Sequence, residues 1–143
     1  MDNRDIVNHL DREFASLINS LKELVSTVPL EHLLRSAAVV EQTFGGLTAN
    51  LWDDPFEWTL PETLSSAELI IEYLSEVDLA RQRAFNSILD DNALSKYISM
   101  PSGEPRLLIS LLLETLVTAS DYRGRACEAG ETIKPGAGQY RER

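Results

Sequence analysis

Residues Leu107–Ala129, LLISLLLETLVTASDYRGRACEA, constrain the fold more than any other stretch of the chain. They read as one amphipathic helix about six turns long. The segment opens on an apolar run and closes on a polar cluster, Asp121-Tyr122-Arg123-Gly124-Arg125. A helix with one apolar face must bury that face against other elements. The chain therefore has to supply partners of similar length.

Three further segments repeat apolar residues at helical steps. The first runs from about Arg4 to Val25, with Ile6, Leu10, Phe14, Leu17, Leu21 and Leu24 as its stripe. Pro29 interrupts the pattern, because it lacks an amide hydrogen and restricts its neighbour. The second runs from about Leu30 to Leu51, with a face of Leu33, Leu34, Ala37, Val40, Phe44, Leu47 and Leu51. Gly45-Gly46 lies inside it and lowers its intrinsic helicity. The third starts near Ser65, which has capping-box spacing to Glu68. Its core positions are Ile70, Leu74, Val77, Ala84 and Ile88, with Tyr73 and Phe85 flanking them.

Two long connections separate these helices. Trp52–Leu64, WDDPFEWTLPETL, carries two prolines and three aromatics and is expected to pack its rings over one end. Asp90–Gly103 has room for a short helix around Ala93–Ile98 and ends in a turn, Met100-Pro101-Ser102-Gly103. Pro105 is expected in the first turn of the fourth helix, and Gly130 as its left-handed cap. No segment alternates with period two. The expected fold is all-α: a four-helix bundle with two long crossover connections, in which helices one and two are antiparallel neighbours across their short link. Residues 1–130 form one domain, and Glu131–Arg143 is expected as a flexible tail.

Charge and composition narrow the functional classes. There are 23 acidic and 13 basic residues, a net charge of −10, and 43% hydrophobic residues. A field of that sign opposes nucleic acid and anionic membrane surfaces. The apolar window Leu107–Leu113 is too short to span a bilayer, and MDNRDIVNHLDREF has no apolar signal core. The single cysteine, Cys127, excludes an internal disulfide framework and fits a reducing, cytoplasmic setting.

Candidate polar groups are few. His9 stands four residues from both Asp5 and Glu13, a spacing that suits a metal cluster but more simply a solvated charged face. His32, beside Glu31 at the start of helix two, reads as structural. Cys127 lies near a helix C-terminus, away from the positive environment that a reactive thiolate needs. Glu41, Glu114, Asp121 and Tyr122 are available to a pocket, with Arg123 beside them to pair with an acid or an anion. Nucleotide-binding glycine loops, Cys-x-x-Cys pairs, His-Glu-x-x-His and the Glu-x-x-His of di-iron bundles do not occur.

The order of elements, and the frame TASDYRGRACEAG from Thr118, resemble the DinB/YfiT-like family of four-helix bundles. That family often carries His-x-x-x-His-Arg-Gly-Gln in its fourth helix. Tyr122-Arg123-Gly124-Arg125 falls on the His-Arg-Gly-Gln part, and Thr118 on the earlier histidine. A further family histidine would fall near Ser36 or Ala37, with Glu41 matching an acidic residue after it. The resemblance implies a divalent metal and, in some members, thiol transfer. Threonine and tyrosine hydroxyls are poor ligands for zinc or nickel, so the expectation is a protein without a metal cofactor. It would bind a small ligand or a protein partner, with a candidate pocket of Glu41, Thr118, Asp121, Tyr122 and Arg123 and a possible homodimer. A metal- or thiol-dependent transferase is the alternative.

Overall fold

The computed structural model describes residues 3–49 and 66–133. The described chain is mostly helical. Helix α1 spans Asp5–Leu24, α2 Leu30–Ala49, α3 Ala67–Ser87 and α4 Leu108–Ile133. Between α3 and α4 come a 3-10 turn, Asp91–Ser95, and two short strands, β1 at Tyr97–Ser99 and β2 at Pro105–Leu107. The strands pair antiparallel with Ile98 opposite Arg106. Residues 52–64, expected to cover one end, lie outside the described residues.

The stripes become the core, with local corrections. On α1, Val7, Leu10, Phe14, Leu17, Ile18 and Leu21 are buried, whereas Ile6 is 51% exposed. Ile6 and Val7 sit about 100° apart on a helix, and the stripe passes through Val7. On α3, Tyr73 and Phe85 are fully part of the core rather than flanking it. The α3 cap is Ser66, one residue later than expected: its hydroxyl accepts a 3.2 Å bond from the Leu69 amide.

Helix pairing follows side-chain size more than connection length. Bonds from Asp11 to Arg81 and from Arg4 to Phe85 show α1 and α3 antiparallel. Contacts from His32 to Tyr122, Ser36 to Ala119 and Thr43 to Thr115 show α2 and α4 antiparallel. Helix α2 packs chiefly on α4 and then α3, and α1 packs chiefly on α3. The expectation that α1 and α2 are close neighbours is therefore corrected: their backbones meet only sparingly. Phe14, Phe44 and Phe85 meet at the centre and keep those helices apart, with centroids 5.0 to 5.9 Å from one another. Small residues do the opposite at the α2–α4 seam. Ser36, wholly buried, donates to the Ala119 carbonyl at 2.6 Å.

The α3–α4 connection fastens the helix ends. The Asp91 carboxylate accepts from the amides of Ile6 and Val7, at 3.2 and 3.0 Å, and so caps α1 from 85 and 84 residues away. Arg4 returns the arrangement by donating to the carbonyls of Phe85, Ile88 and Leu89 at the end of α3. Pro105 belongs to β2 instead of the first turn of α4, as proline at a strand's first residue needs no ladder donor. Gly103, with φ of 87°, completes the turn that joins the strands.

Gly130 is not the cap of α4, which continues to Ile133 and so includes the start of the expected tail. It is a contact glycine. A Cβ there would stand 3.0 Å from the Val28 side chain and 3.1 Å from the Thr27 carbonyl, so the α1–α2 turn can lie directly on α4. No helix among the described residues is long and apolar enough to cross a membrane.

Candidate functional site

A cavity of about 400 Å³ opens between α2 and α4 beneath the hairpin. Ligand pockets run from about 300 to 1,000 Å³, so this one suits a small molecule. From α2 come Val39, Gln42 and Thr43. From α4 come Leu111, Glu114, Thr115 and Thr118. Spacings of three and four residues place each set on one helical face. Met100, Pro101 and Arg106 of the hairpin form the third side. The hairpin is held there by its own turn, in which the Gly103 amide donates to the Met100 carbonyl at 2.8 Å. It is also tied to the helix by the Leu108 amide, which donates to the Lys96 carbonyl at 2.9 Å.

The polar groups lie at two depths. At the α2–α4 seam, Thr43 and Thr115 are both buried and their hydroxyls are 2.8 Å apart. One hydroxyl donates to the other, which leaves a second hydroxyl proton with no acceptor among the described residues. Nearer solvent, Nη2 of Arg106 donates to the Glu114 carboxylate. Val39, Leu111 and Met100 supply apolar lining.

The residues expected to share a pocket are spread over several sides of the helices. Thr118 lines the cavity. Glu41 turns toward α3 and accepts from the Tyr73 hydroxyl at 3.4 Å. Asp121 pairs with Arg125 at 3.0 Å on an exposed surface. Tyr122 stacks on His32, with centroids 6.3 Å apart, and the Arg125 guanidinium lies 5.5 Å from its ring centre. Arg123 reaches toward α1, where Nη1 donates to Ser20 Oγ at 3.3 Å, while its buried Nε finds no partner among the described residues. Of the remaining candidates, His9 and Glu13 form an exposed 3.8 Å pair, and Cys127 is a half-buried free thiol.

The divalent metal implied by the resemblance does not fit these donors. Ser36 is wholly buried and already hydrogen-bonded to α4, and Thr118 and Tyr122 bring only neutral hydroxyls. Among the described residues no three His, Cys, Asp or Glu side chains stand together as a metal-binding group.

Sequence reasoning missed Arg106, Thr43 and Thr115. The threonines had left a signal. Each interrupts an apolar stripe, Thr43 between Val40 and Phe44 and Thr115 between Leu112 and Ala119. A polar residue at a core position needs a buried partner, and here each is the other's. Comparison with protein-family models, curated proteins and solved structures finds no match.

Proposed function

We propose that this chain is a divergent four-helix bundle of the DinB-like kind, with two long connections and no metal cofactor, that binds a small ligand in the α2–α4 cavity. A cytoplasmic setting suits its single free cysteine. The observation that carries the reading is the cavity itself, with apolar walls, a buried hydroxyl pair and one ion pair around a volume of about 400 Å³. Thr118, which falls on a histidine position of the resembled family, lines this cavity and cannot act as an imidazole donor there. A site of this composition holds and orients a molecule.

Hexanol is a suitable neutral probe, with an apolar chain and one hydroxyl. Titration into isotopically labelled protein is expected to shift the amides of residues 39–43, 100–106 and 111–118. Thr118→Phe, which fills the cavity from α4, is expected to abolish those shifts without unfolding the helices. Shifts that map elsewhere, or that survive the filling substitution, contradict the reading.

A second reading, self-association, is favoured by the outer face of α4. Leu113 and Val117 are 46% and 69% exposed there. Gly124 stands seven residues beyond Val117, and a Cβ at Gly124 would meet nothing within 4 Å. An exposed mid-helix glycine costs about 1 kcal/mol relative to alanine, which the isolated chain does not recover by local packing. Sedimentation across a concentration series is expected to show a dimer that Val117→Glu dissociates. A monomer at every concentration removes this reading.

A further inference from the structure

Arg106 is the cavity's only cation among the described lining residues. It is held over the opening by β2, where it pairs with Ile98 across the hairpin. Its side chain is 31% exposed, while that of Glu114, its counter-ion, is 63% exposed. The bond uses Nη2 of the guanidinium, and Nε and Nη1 have no acceptor among the described residues. Guanidinium donors form a planar fork that matches two carboxylate oxygens at once. Glu114 does not occupy that fork.

An ion pair this exposed is weak, typically about 0–1 kcal/mol, so exchanging Glu114 for another carboxylate costs little. A ligand carboxylate arriving from the cavity side would meet the more buried partner of the pair, with Glu114 free to swing into solvent. Behind the carboxylate, a short apolar chain would lie along Val39 and Leu111. The spare hydroxyl proton of the Thr43–Thr115 pair can donate to one polar atom at the far end of such a ligand. The net charge of −10 acts against an anion from a distance. That field is screened over about 8 Å at physiological salt, so the guanidinium at the opening decides the local preference.

Resting on the small-ligand reading above, we propose that the cavity selects a small monocarboxylate with a short apolar body, and that Glu114 is a displaceable stand-in for the ligand's carboxylate on Arg106. The test compares hexanoate, hexanol and hexylamine, three probes of one chain length that differ in head group. The native protein is expected to bind hexanoate about tenfold or more tighter than hexanol, as a charge-assisted bidentate contact implies. Hexylamine is expected to bind weakest. Glu114→Gln is expected to raise the hexanoate-to-hexanol ratio, because the competing carboxylate is gone. Arg106→Gln is expected to bring that ratio to about one or below.

The outcomes separate the two ideas. Equal affinity for hexanoate and hexanol, preference for hexylamine, or a ratio unchanged by Arg106→Gln overturns the carboxylate assignment and leaves the small-ligand reading standing. Failure of all three probes to shift cavity amides overturns the small-ligand reading, and the carboxylate assignment with it.

Discussion

Phe44→Ala is expected to remove about 3–5 kcal/mol of stability, the cost of emptying a large fully buried aromatic site. Phe44 is wholly buried and touches both other core phenylalanines. Its ring lies 5.0 Å from Phe14 at 74° and 5.5 Å from Phe85 at 61°. Edge-to-face pairs of this kind add about 0.5–1.5 kcal/mol beyond simple burial. The three rings belong to α1, α2 and α3, so a void at their junction cannot close by moving one helix alone. Domains of this size have total stabilities of about 5–15 kcal/mol, which makes the loss a large fraction of the whole. Urea unfolding followed by circular dichroism should show a lower midpoint with an unchanged slope. A shift worth under about 1 kcal/mol would mean that the rings do not hold the centre.

Arg81→Leu is expected to cost about 2–3 kcal/mol, below the full cost of orphaning buried charges because water still reaches the carboxylates. The Arg81 side chain is 11% exposed and sits between Asp11 of α1, at 32%, and Asp78 of α3, at 23%. Its Nε donates to Asp78 at 2.8 Å, and Nη1 donates to Asp11. Burial pushes the Asp78 carboxyl up, but hydrogen bonds from Arg81 and Gln82, together with the charges of Arg81 and Lys22, outweigh it. The carboxyl is held below its ordinary 3.8. For Arg81 burial acts downward, and the two aspartates reverse it and raise the guanidinium further.

A carboxyl lowered in the folded state stabilises the fold above its unfolded value, and that contribution disappears as the pH falls through the folded value. The native protein should therefore lose this contribution below pH 3.8. In Arg81→Leu the two strongest downward influences on Asp78 are lost while burial remains, so its carboxyl moves up from its native value. Its deficit against the native protein should be largest at neutral pH and should narrow on acidification. Adding Asp11→Asn and Asp78→Asn should recover part of the loss. A deficit independent of pH would show that Arg81 acts through packing alone.

The local parts of this structure were legible in the sequence. Helical steps located the four helices of the described residues and most of their buried faces, and the Met100–Gly103 turn was visible from its proline and glycine. What was hidden is what distance along the chain conceals. Asp11 meets Arg81 across 70 residues, Thr43 meets Thr115 across 72, and Asp91 caps Val7 across 84. No spacing rule reaches those pairs. Strands of three residues are too short to show alternation, so β1 was absorbed into a connection with a short helix and β2 into the start of the fourth helix.

Arg81 did stand in plain view on the α3 stripe, between Val77 and Ala84. A charged residue in register with the core is a prompt to look for a buried partner. Of the polar residues the sequence offered to a pocket, Thr118 and Glu114 line the cavity. Glu41, Asp121, Tyr122 and Arg123 are close in sequence to the cavity's residues but point around the helices to Tyr73, Arg125, His32 and Ser20.

The central claim is that the space between α2 and α4 receives a small amphipathic molecule. The most direct measurement is of nuclear Overhauser contacts between bound hexanoate and the protein's methyl groups. The predicted contacts run from the hexanoate chain to Val39, Leu111 and Thr115. Contacts confined to other surfaces, such as Leu113 and Val117 on the outside of α4, would contradict the claim.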